Sequence, residues 1–154
     1  YLDFNTLDKR FWLFDTFRGI PDAQMSPREK SAGRVEMSAA YYSECFDQVR
    51  ASFAPWPQVQ LVRGEIPGTL AAVEIARVSF LSIDMNIALP ERAAIEHFWP
   101  RLSPGACVVL DDYGWGGHEE QRDSMDAFAR RIGIPILALP TGQGLMIKPA
   151  TAQS

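Results

Sequence analysis

Short apolar runs and amphipathic stretches alternate along this chain of 154 residues. Four apolar runs have the length and composition typical of buried strands: 11–14, 59–66, 78–83 and 106–110. Three stretches carry apolar residues at helical spacing: 42–53, a stretch with Pro90 in its first turn that is stopped at Pro104-Gly105, and 118–132. Residues 22–38 contain Pro27, Gly33 and many charges, so we predict a long mobile loop there.

The order of these elements predicts the fold class. Strands that alternate with helices form a largely parallel sheet covered on both faces. The run 78–83 is so densely apolar that we expect it to be buried on both faces. The last two strands, 134–139 and 145–148, are joined by a turn too short for a parallel crossover, so they must be antiparallel. We therefore predict one α/β domain over residues 1–154, mostly parallel, with a C-terminal antiparallel hairpin.

Charge and cysteine content narrow the class of protein. The net charge of −4 and the lack of any basic run argue against a surface that binds nucleic acid or anionic membranes. No apolar stretch approaches the ~18–20 residues of a membrane span. Cys45 and Cys107 are far apart in apolar settings, which predicts buried free thiols in a reducing compartment. We therefore expect a cytoplasmic protein.

Acidic residues stand where the predicted strands end: Asp15, Glu65, Asp84, Asp111 and Asp112. Ligands of an open parallel sheet bind at this edge. Clustered carboxylates repel one another and raise each other's pKa, so a positive group should lie between them. Asp84 and the pair Asp111-Asp112 end strands joined by one crossover helix, and a hard divalent cation such as Mg²⁺ is the simplest compensation. The alternative is that these acids cap helices or lie in exposed turns.

Three residues near the same edge have separate interpretations. Asp15 could accept hydrogen bonds from a ribose, or it could simply open the turn before Gly19. Glu65 could face an adenosine, or it could be a solvated loop residue. Asn86 is uncharged, so it could orient a substrate hydroxyl but could not act as a strong base.

The histidines and one tryptophan are weaker candidates. His97 lies beside the apolar stripe of a predicted helix and is interpreted as an ordinary, partly buried residue. His118 follows Gly116-Gly117 just after the acidic pair. It could approach a substrate or simply open the next helix. Trp115 could line a substrate pocket from its Gly-rich loop.

Several segments in order resemble one family. Phe11–Pro21 is similar to the second-strand signature of the macrocin-type O-methyltransferases, which act on sugars and other hydroxyls in natural-product pathways. Val62-Arg63-Gly64 is similar to their next strand and turn. Leu81–Asp84, Trp99–Gly105 and Val109–Gly114 are similar to their metal-binding half. The resemblance spans almost the whole chain.

The resemblance implies a Rossmann-like class I methyltransferase fold with S-adenosylmethionine as donor. It implies that Asp15 lies near the cofactor ribose and that Mg²⁺ is held by Asp84, Asp111 and Asp112. The expected partner is a small-molecule hydroxyl acceptor, and a homodimer is a possible assembly. The predicted cofactor-binding residues are Asp15, Glu65 and Asp84; the predicted catalytic residues are Asp84, Asn86 and His118.

Two departures from the family pattern qualify these implications. Many members have a second Asp, thought to be the general base, where this chain has Asn86. The base then comes from elsewhere, with His118 as a candidate, or metal activation suffices, or the acceptor differs. The family's first strand and Gly-rich loop should precede Tyr1. We therefore expect an N-terminally incomplete fragment, with a gap in the sheet between the strands at 11–17 and 77–84.

Three functions fit these features to different degrees. The leading one is methyl transfer to a hydroxyl of a sugar or secondary metabolite. The second is a non-catalytic, methyltransferase-like binding module, which Asn86 and the missing loop would favour. The third is a metal-dependent phosphoryl or glycosyl transferase, which ranks last because no Gly-rich loop followed by a helix is present to hold a phosphate.

Overall fold

The computed structural model describes residues 3–150. Its strands, numbered β1 to β6 in chain order, are Phe11–Asp15, Val59–Arg63, Val78–Ile83, Leu102–Leu110, Leu137–Ala138 and Gly144–Ile147. Its α-helices are α1 to α5: Pro27–Ser31, Arg34–Tyr41, Phe46–Phe53, Ala88–Phe98 and Glu119–Ile132. Short 3₁₀ turns occur at Phe4–Thr6, Asp22–Gln24, Leu70–Ala72 and Trp99–Arg101. No helix in this part of the chain is both long and apolar enough to cross a membrane.

The strands form two sheets. One has two parallel strands, β1 and β2. The other has the order β3-β4-β6-β5, in which β3 and β4 are parallel and β6 runs antiparallel to both β4 and β5. The mostly parallel sheet with a C-terminal antiparallel hairpin is therefore confirmed.

The main core lies between the four-stranded sheet and the helices α4 and α5. Its largest fully buried side chains are Ile83, Ile95, Val108, Met125, Phe128 and Met146. Each such side chain contributes about 1.5–3 kcal/mol through removal from water. The ring of Phe128 packs edge-on against Trp99 at 5.6 Å. This core fixes the ends of β3 and β4, where the acidic residues follow.

The prediction that 78–83 is buried on both faces is wrong. The strand β3 lies at one edge of its sheet, and Phe80 is 56% exposed. Within residues 3–150 no strand pairing joins β1 to β3. Apolar content alone cannot reveal whether a strand has a neighbour on each side. The resemblance predicts a further strand at this position, and that remains a prediction.

The long loop predicted for 22–38 is also wrong, because helices α1 and α2 occupy most of it. Ser26 and Glu29 form a reciprocal capping box at the start of α1, with Pro27 at the first helical position. Gly33 separates the two helices with a φ of 82°, a left-handed conformation that glycine adopts without strain. The residues interpreted as helix breakers are thus the residues that begin and separate helices.

Two other element boundaries differ from those predicted. The helix predicted from Tyr42 begins at Phe46, because the backbone N–H of Cys45 donates to the carbonyl of Phe17 at 2.9 Å and keeps the preceding residues extended. Leu102, predicted to be in a helix, is the first residue of β4. Cys45 and Cys107 are free thiols, as expected, but both are half-buried rather than buried.

Candidate functional site

A cleft of about 210 Å³ opens at the carboxyl ends of β1, β2 and β3. Its walls are the turn after β1, the extended segment before α3 and the loops after β2 and β3. The predicted site residues Asp15, Glu65, Asp84 and Asn86 all line it. The edge of the sheet expected to bind a ligand therefore does carry a cavity.

Asp15 shapes the turn after β1. Its Oδ1 accepts a hydrogen bond from the backbone N–H of Phe17 at 2.6 Å, and the hydroxyl of Thr16 donates to the carbonyl of Gly19 at 2.6 Å. Phe17 has a φ of 57°, which is unusual for an aromatic residue and is stabilised by this contact. The turn-opening interpretation of Asp15 is confirmed, while its contact with a ribose remains a prediction.

Glu65 is held at the rim of the cleft by two partners. Arg18 lies 3.0 Å from its Oε1, and the side-chain amide of Gln24 donates to its Oε2 at 3.4 Å. Glu65 is thus a paired, half-exposed residue rather than a freely solvated one. The expected contact with an adenosine remains a prediction.

The three predicted metal ligands share one edge of the four-stranded sheet. The backbone N–H of Asp111 donates to the carbonyl of Ile83 at 3.0 Å, which brings the end of β4 beside the residue that precedes Asp84. Burial, and then the negative charges of Asp111, Asp112 and Asp15, raise the pKa of Asp84 to about 6. The expected electrostatic conflict among these acids is therefore present.

The donor types of this acidic group fit a hard divalent cation. No lysine or arginine within the described part of the chain forms a salt bridge with Asp84, Asp111 or Asp112. Mg²⁺ prefers oxygen ligands, and three carboxyl groups without a cationic partner could supply them. However, residues 3–150 contain no group of three His, Cys, Asp or Glu side chains already arranged to hold a metal ion. Cation binding would require these side chains to rotate towards one another.

Asn86 adopts a φ of 61°, a left-handed conformation that Asn tolerates better than most residues. Its side-chain amide donates to the hydroxyl of Tyr42 at 3.3 Å and to Oδ1 of Asp84 at 3.5 Å. Burial and the charge of Asp84 raise the pKa of Tyr42, so its phenol stays neutral. Asn86 is a donor inside the site, as its chemistry predicts.

His118 lies at the acidic group, at the residue immediately before α5. Its Nδ1 is 3.2 Å from Oδ2 of Asp112, although the two are not aligned for a hydrogen bond. Burial lowers the pKa of His118, and the charge of Asp112 opposes that effect. The neutral imidazole is thus the stable form at neutral pH.

The last two candidates, His97 and Trp115, do not line the cleft, and neither do Asp111, Asp112 and His118. His97 packs edge-on against Phe98 at 4.8 Å, which agrees with its interpretation as an ordinary helix residue. Trp115 is 58% exposed and does not line the cleft. Its indole covers Gly142 so closely that a Cβ there would lie 2.5 Å from Nε1.

The sequence does not predict the burial of three polar residues near the site: Arg34, Glu91 and Gln121. The guanidinium of Arg34 donates to the carbonyls of Asn86 at 3.1 Å and Gly117 at 2.7 Å, so it ties together the loops after β3 and β4. Arg34 lay in a predicted loop. Glu91 and Gln121 fell in first helical turns, where polar residues are ordinary, so no local signal marked them.

A family model for the macrocin O-methyltransferases matches residues 2–138 of the chain. The chain belongs to this family. Among its curated relatives is the 8-demethyl-8-(2,3-dimethoxy-α-L-rhamnosyl)-tetracenomycin-C 4′-O-methyltransferase of Streptomyces olivaceus, which is 29% identical over 82% of this chain and 49% of that protein. The chain spans about half the length of the curated relatives that it matches.

Solved structures agree with the family's fold. The O-methyltransferase NovP superposes with a TM-score of 0.82 at 18% identity, over 95% of this chain and 62% of NovP. The SAH-bound methyltransferase PaMTH1 of Podospora anserina gives a TM-score of 0.58 at 14% identity, over 93% and 72% of the two chains. The macrocin-family chain therefore has the α/β methyltransferase fold that the resemblance implied.

Proposed function

We propose that this protein transfers a methyl group from S-adenosylmethionine to a hydroxyl of a sugar or secondary metabolite, with assistance from Mg²⁺. Membership of the macrocin O-methyltransferase family supports the reaction class. A relative named for methylation of a rhamnosyl group supports a sugar hydroxyl as acceptor. The observation that carries the proposal is the position of Asp84 in the wall of an open cleft, with the end of β4 held beside it by the hydrogen bond from the N–H of Asp111 to the carbonyl of Ile83.

The cleft is the proposed donor site. Asp15, Glu65 and Asp84 line it, and all three are hydrogen-bond acceptors suited to hydroxyl and amino groups of an adenosine. The SAH-bound relative supports a cofactor of this class. In this proposal Asp15 contacts the ribose with the carboxylate oxygen that does not cap its turn.

Asp84, Asp111 and Asp112 are the proposed ligands of the divalent cation. When bound, the ion would lower the pKa of the acceptor hydroxyl and orient it towards the donor methyl group. Burial, and then repulsion from Asp111, Asp112 and Asp15, raises the pKa of Asp84; a bound cation would offset both effects, which supports this assignment.

His118 is the proposed proton acceptor in place of Asn86. A small rotation would let its Nδ1–H donate to Asp112, which leaves Nε2 free to accept the hydroxyl proton. The hydroxyl oxygen then forms its bond to the methyl carbon as the sulfur–methyl bond breaks, and S-adenosylhomocysteine leaves. Asn86 orients the acceptor through its amide.

Calorimetric titration of the complete protein with S-adenosylmethionine, with and without Mg²⁺, tests the proposal. We expect donor binding, and a double variant Asp111→Asn, Asp112→Asn should keep donor affinity within about twofold but lose at least about 100-fold in turnover. Failure of the complete protein to bind the donor would refute the methyltransferase proposal. Unchanged turnover of the double variant would refute the role of the metal.

A non-catalytic binding module is the second candidate, and Asn86 is the observation that favours it. Donor binding that is independent of Mg²⁺, together with no methyl transfer to any glycoside tested, would favour the module. For the partner we propose a small-molecule acceptor rather than nucleic acid or a membrane. A homodimer and a cytoplasmic location also remain proposals.

A further inference from the structure

Two polar side chains are buried together beneath the acidic group. Glu91 on α4 is 4% exposed, and Gln121 on α5 is 3% exposed. Oε1 of Glu91 accepts a hydrogen bond from Nε2 of Gln121 at 2.9 Å. Neither residue lines the cleft, so neither is part of the donor site.

Burial of this pair is costly. A buried carboxyl group loses its hydration, and burial raises the pKa of Glu91 to about 7. A pair of apolar side chains of the same size would fill the space between α4 and α5 without that cost. The pair therefore needs an explanation beyond packing.

Its contacts reach both acidic strand ends. Oε1 of Glu91 also accepts from the backbone N–H of Met85 at 3.2 Å, and Met85 lies between Asp84 and Asn86. Nε2 of Gln121 has a second hydrogen, and it lies 3.5 Å from Oδ2 of Asp112. One buried carboxyl–amide pair thus contacts the loop after β3 and a side chain after β4.

We propose that Gln121, with Glu91 as its support, is a positioning residue that orients Asp112 and the Asp84 loop as ligands of the divalent cation. The inference rests on the proposed function. Outer-shell hydrogen bonds of this kind fix the direction of a ligating carboxylate, and their loss costs about 10–100-fold in metal affinity.

The test is a calorimetric titration of the complete protein with MgCl₂ in the presence of S-adenosylmethionine. Gln121→Leu should weaken Mg²⁺ binding by about 10–100-fold. Its affinity for S-adenosylmethionine, measured without metal, should stay within about twofold of the wild type because Gln121 does not line the cleft. Glu91→Gln is the matched control. Its amide oxygen can still accept from both donors, so its Mg²⁺ affinity should stay within about threefold.

A swapped variant, Glu91→Gln with Gln121→Glu, separates positioning from packing. It keeps the volumes and one amide–carboxylate hydrogen bond, but position 121 no longer has an N–H for Asp112. We expect cooperative unfolding and Mg²⁺ binding that is still weakened at least about tenfold. If Gln121→Leu does not fold, the swapped variant alone decides.

The outcomes are distinct. Wild-type Mg²⁺ affinity in the swapped variant or in Gln121→Leu would overturn the inference and leave the proposed function intact. No Mg²⁺ binding by the wild-type protein would overturn the metal proposal, and the inference with it. Weakened Mg²⁺ binding by Gln121→Leu or the swapped variant, with unchanged affinity for S-adenosylmethionine, supports the inference.

Discussion

At the scale of single residues, the most distinctive feature of the site is Asp84, a carboxyl group whose pKa is raised to about 6. Asp84 directly follows β3, and burial together with the charges of Asp111 and Asp112 opposes its ionisation. The sequence alone could predict this, because acids that follow neighbouring parallel strands must meet at one edge. It could not predict Gln121 or Arg34, because their significance comes from contacts between loops that are distant in sequence.

Asp84→Asn should stabilise the metal-free protein at neutral pH. The pKa of Asp84 is raised from 3.8 to about 6, so the folded state binds this proton more tightly than the unfolded state does. The stability of the wild type therefore falls as the pH rises between those two values, and the destabilisation is complete above about 6. Because Asp84 is only partly buried and keeps contact with solvent, we expect a gain of only about 1 kcal/mol at neutral pH.

Urea unfolding at pH about 7.5 and about 3.5 measures this difference, with Asp8→Asn as a control at an exposed acid outside the site. The gain should disappear at the lower pH, where the carboxyl is neutral in both states. A variant less stable than the wild type at neutral pH would show that Asp84 has an unrecognised positive partner.

At the scale of elements, the strands and the long helices were easier to predict than the segment between β1 and α3. Core-facing apolar residues mark α5, which was predicted to within one residue of its start. Helix α1, for example, is held by polar contacts that have no periodic signature. Glu29 caps the backbone N–H of Ala88 at 2.6 Å, and Arg28 pairs with Asp123 at 3.1 Å.

Ser26→Ala should destabilise the docked helix α1. The hydroxyl of Ser26 accepts from the N–H of Glu29 at 3.1 Å and donates to Glu120 at 2.6 Å, so the change removes a capping contact and a link to α5. We expect a loss of about 1–2 kcal/mol in the free energy of unfolding, measured with urea. Ser31→Ala is the matched control, since the exposed hydroxyl of Ser31 donates only to the carbonyl of Pro27 in its own helix. Equal effects of the two changes would contradict this account.

At the scale of the whole molecule, the cleft opens at the carboxyl ends of strands from both sheets. The strands β1 and β3 nevertheless do not pair with each other within residues 3–150. The sequence predicted the parallel class and the terminal hairpin from element order. Strand neighbours depend on which segments lie side by side, so the exposure of β3 could not be read from its apolar content. The 56% exposure of Phe80 on β3 shows this most clearly.

Phe80→Thr should reduce self-association of the 154-residue chain without lowering its stability. An exposed apolar edge strand is a template for pairing with other chains, and a β-branched polar residue keeps strand propensity while removing apolar surface. Light scattering against concentration is the measurement. Ser82→Thr, on the same face of β3, should change nothing. Increased aggregation of Phe80→Thr would mean that this ring is needed for folding.

The most direct test of the central claim is a crystal structure of the complete protein with S-adenosylmethionine and Mg²⁺. We predict one ion with carboxylate oxygens of Asp84 and of the Asp111–Asp112 pair at about 2.0–2.1 Å, and the donor in the cleft beside Asp15. An ion elsewhere, or an Asp84 side chain turned away from Asp111 and Asp112 while the donor is bound, would contradict it.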